Sequence, residues 1–569
     1  GLALAQRFAP HIDADIHGHA LRCPDAPFHF GKARAHIANL FSSGRPIIGI
    51  CAAGILIRAV APHLRHKSSD APLLAVAESG RHVVPLIGGH HGAITLSRQV
   101  SDILEADLAM TTAGDLRWQI SLDEPPRGWR LANPGAAARV MPQLLAGDGA
   151  FLEGEALPEL NDWFEHIPRG DAVTLTVTRR QKMPAENQLV YCPQDIILGV
   201  GCARGAPAED VCEFVMRELQ RADINAAAIA AVVTADIKAD EPAIHALAAM
   251  LAVPVRVFDR DQLAAETDRL KTPSQTVFEE IGVYGVAEGA ALAAAGADGM
   301  LIHPKAKSDT ATMALAKAES ALAHRLPGRK PGRVMLVGIG PGKPEWRTPE
   351  ASQMIFGADE LVGYDLYIDL LGAAAAHIPR RDFKLGEEEA RCRYALEAAA
   401  TGKDVAVICS GDAGIYAMGA LVYELLDRDE EEGGVSASAR RVAVVTTPGI
   451  SAMQAAAARS GAILGHDFCA ISLSDLLTPW EAIEKRIHAA GAGDFVVAFY
   501  NPVSRRRRTQ LAEARQILMS YRSGDVPVLL ASNLGRTEED IRYRTLETLD
   551  IDEVDMLTTV MVGASASRH

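Results

Sequence analysis

Two apolar runs in the C-terminal part of the chain each empty into a glycine-rich loop: Val334-Met-Leu-Val-Gly-Ile-Gly-Pro-Gly342 and Val407-Ile-Cys-Ser-Gly-Asp-Ala-Gly-Ile-Tyr416. Backbone at a glycine can approach a ligand where a Cβ would clash, so two such strand ends facing each other can hold one small molecule. A dinucleotide is the obvious alternative, but its fingerprint asks for a third glycine three residues beyond the second, opening a helix at once under the pyrophosphate. Lys343 stands at that position. Pro341 and Pro344 disfavour helix for the residues before them, so the helix is expected only near Pro349-Glu350-Ala351. The chemistry that fits is recognition of a phosphate-free small molecule.

Further fragments follow in order: Thr447-Pro-Gly-Ile-Ser-Ala452, Phe499-Tyr-Asn-Pro502 and Asn533-Leu-Gly-Arg-Thr537. Isolated glycines usually make tight turns; an ordered set of them at strand ends favours a ligand site. Together these motifs, over residues 333–569, resemble the tetrapyrrole methyltransferases, which hold S-adenosylmethionine in a cleft between two α/β lobes (the class III architecture). More narrowly, Gly363-Tyr-Asp-Leu-Tyr367, Ser410–Tyr416, His466–Trp480 and Met556-Leu-Thr-Thr-Val560 look like the precorrin-3B C-17-methyltransferases, the ring-contracting enzymes of cobalamin biosynthesis. The resemblance implies that Gly340, Pro341, Gly411, Asp412, Ala413, Ile415, Ser451, Ala452, Tyr500, Asn501 and Gly535 line the cofactor site. It further implies that Tyr364, Tyr416, Ser472, Arg505 and Arg506 face the substrate. Methylation at another macrocycle position, such as C-11 or C-20, is the competing reading, and His466–Trp480 is the segment that separates the two.

Methyl transfer from a sulfonium is a displacement, so the protein must mainly hold two carbons in line and exclude water. Ring contraction asks for more: a C-20 hydroxyl loses its proton while a carbon migrates and the meso carbon leaves as an acetyl group, which calls for a general base. His466, Asp467 and Asp475 are the candidates, and histidine titrates nearest neutral pH. A capping or core role is the competing reading for each. Ser472 and Ser474 are placed to orient the hydroxyl or a substrate carboxylate. The run Arg505-Arg-Arg-Arg508 suits a carboxylate-rich macrocycle, since arginine binds carboxylates bidentately; a solvated helix start is the bland alternative.

The elements that must position these groups form several domains, because 569 residues exceed one hydrophobic core and fit about three to five. A net charge of −15 excludes a general nucleic-acid or anionic-membrane surface. Eight cysteines with no Cys-x-x-Cys pair fit a reducing compartment, read as the cytoplasm. No apolar run approaches the roughly 20 residues of a membrane span. The opening Gly1-Leu-Ala-Leu-Ala-Gln-Arg reads as a helix already under way, with a strand expected upstream. Ten of the eighteen histidines fall in residues 1–91, but His17-Gly-His19 and His90-His91 have no third ligand at metal spacing, so no metal is expected.

The expected organisation is a multidomain α/β protein: an N-terminal parallel α/β domain (1–118), an irregular or α+β middle insert (119–190), a second α/β domain (191–310), a linker (311–332), and two methyltransferase lobes (333–448 and 449–569). The basic, Pro- and Gly-rich His324–Arg333 marks the linker. Within residues 1–310, Gly49–Arg58, Pro85–Ala93, Thr234–Asp240 and Gly282–Glu288 resemble the cobalt-precorrin-5A hydrolase family, CbiG, which opens a lactone and releases acetaldehyde. Here His91-Gly-Ala-Ile lacks the asparagine of that family's motif. The polar candidates are Glu78, His90, Lys238, Asp240 and Glu288, and two readings stay open: a lactonase, or a non-catalytic tetrapyrrole carrier. Expected partners are a tetrapyrrole substrate, a second copy of the chain, and neighbouring cobalamin-pathway enzymes that receive the product.

Overall fold

The computed structural model describes the chain except residues 67–69, 90–91, 111–117, 119–121, 148, 156–162, 323–325, 462, 477, 505–506 and 569. The chain divides into two compact units: residues 1–333 with 396–403 and 436–443, and residues 334–395, 404–435 and 444–569.

The first unit contains three larger sheets. In the first, Ile47–Ile50, Leu73–Val76, His82–Ile87 and Asp107–Leu108 lie side by side in that order. The expectation of a parallel sheet needs correction here, because Leu73–Val76 and His82–Ile87 are antiparallel. Five intervening residues, with Gly80 at φ +73°, make a turn and are too few for a crossover. The middle insert, expected to be irregular or α+β, is a packed sheet with helix Ala137–Ala146 in its core. Its order is Trp129–Leu131, Gln188–Pro193, Val173–Val177, Ala150–Gly154, and Trp118, Leu122, Phe164 and Tyr191 are buried against it.

In the third sheet the order is Val255–Phe258, Ile229–Ala235, Ile196–Cys202, Ala311–Lys317, Met300–Lys307. The first three strands are parallel and the last two antiparallel to their neighbours. Side chains alternate faces with period two. Thus Ile196, Leu198 and Val200 pack with Phe214, Val215 and Leu247 of helices Ala208–Arg221 and Pro242–Leu251, while Ile197 packs with Ala290, Ala291 and Ala294 of helix Ala287–Ala295. That alanine-rich helix lies so close that a Cβ on Gly199 would stand 1.9 Å from the Ala287 carbonyl oxygen. Ala311–Lys317 corrects the expected linker boundary: the interval opens with a strand, mostly buried, paired on both edges.

The second unit has two five-stranded sheets. One runs Arg380–Phe383, Glu360–Tyr364, Asp404–Cys409, Arg333–Gly338, Ala443–Thr447, and the other Phe468–Ser472, Val496–Tyr500, Thr558–Val562, Pro527–Ser532, Asp540–Thr545. In the first, Arg380–Phe383, Glu360–Tyr364 and Asp404–Cys409 are parallel, so their C-terminal ends share one edge. The second pairs Phe468–Ser472 with Val496–Tyr500 in parallel and is otherwise antiparallel. After the proline-interrupted loop, helix Pro349–Phe356 starts where the prolines allow, with the Thr348 side chain accepting the Ala351 N–H at 3.0 Å. Among the described residues no helix is long and apolar enough to cross a membrane.

Candidate functional site

Chain ends of several strands converge in the second unit, and glycines decide how closely. Gly340 N–H donates to the Gly411 carbonyl at 3.1 Å and Gly411 N–H to the Gly340 carbonyl at 3.0 Å, an isolated bridge between the two loops. Two more glycines press on the same carbonyl: a Cβ on Gly449 would stand 2.1 Å from the Gly411 oxygen, and one on Gly338 2.6 Å. Gly411 itself sits at φ +70°, a conformation that disfavours any side chain. The Asp412 carboxylate staples the cluster, one oxygen accepting the Gly414 N–H and the other the Gly449 N–H, each at 2.8 Å. Loops of the other lobe close the arrangement. A Cβ on Gly342 would meet the Leu534 carbonyl at 2.7 Å, one on Gly535 the Lys343 nitrogen at 2.8 Å, and Arg536 Nε donates to the Pro341 carbonyl at 3.2 Å.

Around these glycines stand the other expected cofactor residues. Pro341, Ala413 and Ser451 are buried; Ser451 caps helix Ala452–Ser460 through a reciprocal box with Gln454. Ile415 and Tyr416 are 36% and 50% exposed, an apolar edge left open beside the loop. Tyr416 takes φ +51°, donates its hydroxyl to the Ala470 carbonyl at 2.7 Å and lies 5.2 Å from the Tyr500 ring. Burial pushes its hydroxyl pKa up. Tyr500 accepts the Met453 N–H at 3.2 Å. Asn501, at φ +50°, donates to Ser472 Oγ at 3.2 Å. Tyr364 ends its strand edge-on to Tyr367, 5.2 Å away, whose hydroxyl pKa burial raises. The residues fit a small, phosphate-free cofactor: close backbone, an open apolar edge and no third fingerprint glycine.

The general-base candidates separate. Asp475 accepts from Gln510 at 2.8 Å and lies 3.4 Å from Arg507 Nε, while Arg507 also donates to Ser474 Oγ at 3.0 Å and to the Asn501 carbonyl at 2.7 Å. Ser472, Ser474, Asp475 and Asn501 thus form one polar shelf. His466 and Asp467 are exposed and precede the opposite end of strand Phe468–Ser472, about 20 Å along the chain from Ser472 at 3.3 Å per residue. The structure does not bring them to the shelf. Arg505 and Arg506 lie outside the described residues. Arg507 is 6% exposed and ties two loops together, and Arg508 is exposed. Of the two described arginines of the run, one is therefore buried and one solvated. Gly338 and Gly449, which stood inside the quoted motifs but not among the expected cofactor residues, join the contact, and Arg507, expected to face substrate carboxylates with the rest of its run, is held by Asp475, Ser474 and the Asn501 carbonyl. Pro-Gly at a strand end was the available signal for Gly449, whereas the Arg507 partners Ser474 and Asp475 are distant in sequence and leave no local signal.

In the first unit, Glu78 is exposed in the turn of the first sheet and lines a cavity of about 2050 Å³ together with His36, Arg45, Cys51 and Trp129. His90 lies outside the described residues. Lys238 and Asp240 follow strand Ile229–Ala235: Asp240 accepts from Arg204 at 2.8 Å, and Lys238 Nζ lies 3.6 Å from the buried Glu241 carboxylate. Glu288 is 2% exposed and accepts from the Lys271, Thr272 and Lys305 N–H groups and the Thr272 hydroxyl, at 2.8–3.0 Å. Burial raises its pKa, but those hydrogen bonds outweigh it and the carboxyl titrates below its usual range. Its lone pairs are used in holding loops, which leaves it a structural role.

Two α/β lobes joined through glycine loops are the architecture of an enzyme that holds a small cofactor between them, and residues 333–550 match the model of the Tetrapyrrole (Corrin/Porphyrin) Methylases. The class is a methyltransferase that uses S-adenosylmethionine. The chain is 41% identical over 237 residues to a precorrin-3B C(17)-methyltransferase of Sinorhizobium sp, covering 42% of this chain and 91% of that protein, and it belongs to the tetrapyrrole methylase family. It is 44% identical over 236 residues to a cobalt-factor III methyltransferase of Priestia megaterium, spanning 42% of this chain and only 43% of that protein. The crystal structure of the methyltransferase CobJ is 38% identical, covering 42% of this chain and 96% of that one, with a TM-score of 0.39. Residues 35–115 and 196–316 match the Cobalamin synthesis G N-terminal and C-terminus models.

If the glycine contact builds the cofactor site, Gly449→Ala should weaken S-adenosylhomocysteine binding at least tenfold and cost about 1–3 kcal/mol of stability by overpacking. Gly414→Ala, whose Cβ would meet only the Asp412 carboxylate at 3.3 Å, is the near-neutral control. Calorimetry that finds unchanged affinity in folded Gly449→Ala removes this contact from the site. Glu288→Gln should cost about 1.5–3 kcal/mol at pH 7. A depressed carboxyl contributes stability that is complete above its unfolded pKa of about 4.3 and is lost as pH falls through the folded value. The variant should therefore show a flatter acid limb in thermal unfolding than the wild type, and parallel limbs would contradict the assignment.

Proposed function

We propose that the second unit methylates C-17 of a precorrin-3B-type macrocycle and promotes the accompanying ring contraction. The observation that carries this reading is the 41% identity to precorrin-3B C(17)-methyltransferase across a region that holds both the glycine contact and the Ser472–Asn501 shelf. Bound S-adenosylmethionine supplies an electrophilic methyl group. The chain's own part is positional: the Gly340–Gly411–Gly449 floor fixes the cofactor backbone, the Tyr416 and Tyr500 rings offer a surface to a flat macrocycle, and both lobes exclude water. On placement, the hydroxyl that must lose its proton is oriented by Ser472, itself held by Asn501, with Asp475 beside it fixed by Arg507 and Gln510. His466 and Asp467 stand away from that step.

The first unit is proposed to bind a tetrapyrrole intermediate, which its large cavity and the match to both Cobalamin synthesis G models support, and not to hydrolyse it, for which the observation is His91-Gly-Ala-Ile without the asparagine. The enzyme is proposed to work in the cytoplasm as a homodimer and to pass its product to neighbouring cobalamin-pathway enzymes.

The test is single turnover of the full chain with precorrin-3B and methyl-¹³C S-adenosylmethionine, followed by mass and NMR. The label is expected at C-17 of a contracted ring. Label at C-11 or C-20 would establish the competing position. Asp475→Asn should slow contraction by about 10²–10⁴-fold if proton removal depends on the shelf, while His466→Ala should leave it unchanged; the opposite pattern returns the base to His466. Acetaldehyde release from cobalt-precorrin-5A by the same protein would show the first unit to be a working lactonase.

A further inference from the structure

Arginine keeps its charge in proteins, so a buried guanidinium needs acceptors for its five N–H donors. Four arginines of the second unit are at least nine-tenths buried: Arg347, Arg391, Arg507 and Arg522. Three have a carboxylate or an aromatic ring beside the charge. Arg507 meets Asp475, Ser474 and the Asn501 carbonyl. Arg522 donates to the Phe495, Gly563 and Ala490 carbonyls, and its Nε, which makes no hydrogen bond, has the Asp494 carboxylate 3.9 Å away. Arg347 donates to Ser352 Oγ and stands over the Phe356 ring at 5.3 Å.

Arg391 is different. It is 3% exposed, and its Nε has no hydrogen-bond partner. One terminal nitrogen donates to the Lys384 carbonyl at 3.2 Å, and the other finds only the Met418 thioether at 3.6 Å, a weak acceptor. Its position is the second observation. Lys384 follows strand Arg380–Phe383, and Met418 opens the helix that follows the Ser410–Tyr416 loop, so Arg391 sits at the edge where the parallel strands end. Ligands of open α/β sheets bind at that edge. Its charge reaches the ligand loop: burial pushes the Cys409 thiol up to about 11, and Arg391 is one of the groups opposing that rise.

We propose that Arg391 is an unfilled carboxylate subsite of the methyltransferase cleft, completed by a carboxylate of the bound ligands. This rests on the methyltransferase reading above and adds a specificity-determining residue to it. The thioether marks the place the anion takes: a flexible methionine side chain swings aside at small cost, and the guanidinium then gains a charge-assisted, two-pronged partner. Two ligands bring the same chemistry, the amino-acid carboxylate of S-adenosylmethionine and the acid side chains of the macrocycle.

The test uses the full chain with Arg391→Met and Arg391→Lys and reads three quantities: the unfolding midpoint, the Kd for S-adenosylhomocysteine alone, and the Kd for precorrin-3B at saturating S-adenosylhomocysteine. Removing a buried charge without a counter-ion should hold or raise the midpoint in Arg391→Met, while one of the two Kd values rises about 10- to 100-fold. A rise in the first identifies the cofactor carboxylate, and a rise in the second alone identifies the substrate. Arg391→Lys, which keeps the charge but not the fork, should fall between. A lowered midpoint with both Kd values unchanged overturns the proposal and makes Arg391 structural, and loss of folding in both variants does the same. Both Kd readouts are independent of turnover, so a protein that binds but fails to label C-17 sinks the functional reading without deciding Arg391.

Discussion

The methyltransferase unit depends on one close approach: the backbones of three loops meet at the Gly411 carbonyl, with Gly340 bonded to it and the Cα atoms of Gly338 and Gly449 packed where a methyl group would stand 2.1–2.6 Å from its oxygen. Backbone this dense needs its polar groups satisfied, and the Gly340–Gly411 pair and the Asp412 carboxylate do that. Everything downstream follows from where this floor sets the loops. Tyr416 and Asn501 are held at positive φ, which directs Tyr416 to the Ala470 carbonyl and Asn501 to Ser472. Such strain persists only when the surrounding structure over-determines it, as it does at a built site.

Much of this was legible in sequence because it is local. Buried strands reading into Gly-rich loops, and prolines that delay a helix until Pro349, are patterns within ten residues or so, and the helix does begin at Pro349. Long-range facts were not legible. Ala311–Lys317 looked like the start of a linker because Ala-Thr-Met-Ala-Leu-Ala-Lys has neither β-branched richness nor clean alternation; its strand character comes from two neighbouring strands. The antiparallel turn of the first sheet was missed for a related reason: strand direction is set by connection length, not by composition. At the site, Arg507 was read with its basic neighbours as either a substrate-carboxylate contact or a solvated helix start, yet it is buried and bonded to Ser474 and Asp475, some thirty residues away in sequence. His466 was favoured for its titration range, which says nothing about which end of a strand it occupies.

Charge placement divides structural from functional polarity. Glu288 and Arg522 are buried and bonded mainly to backbone groups, the usual sign of a residue that holds loops in place. Lys238, Glu241, Arg204 and Asp240 pair among themselves at one strand end of the first unit. Arg391, in contrast, is buried beside the ligand loop with its donors poorly matched. Among the buried arginines of the second unit, Arg391 alone has neither a carboxylate nor an aromatic ring recorded beside it among the described residues, and it stands at the edge that the glycine loops mark.

The central claim is that the three-loop glycine contact is the floor of the cofactor site. Its most direct test is a crystal structure of the full chain with S-adenosylhomocysteine. The account predicts density for the ligand lying against Gly340, Gly411 and Gly449, flanked by Ile415 and Tyr416. Density for the ligand at any other place in the chain, with those loops unchanged and empty, would contradict it.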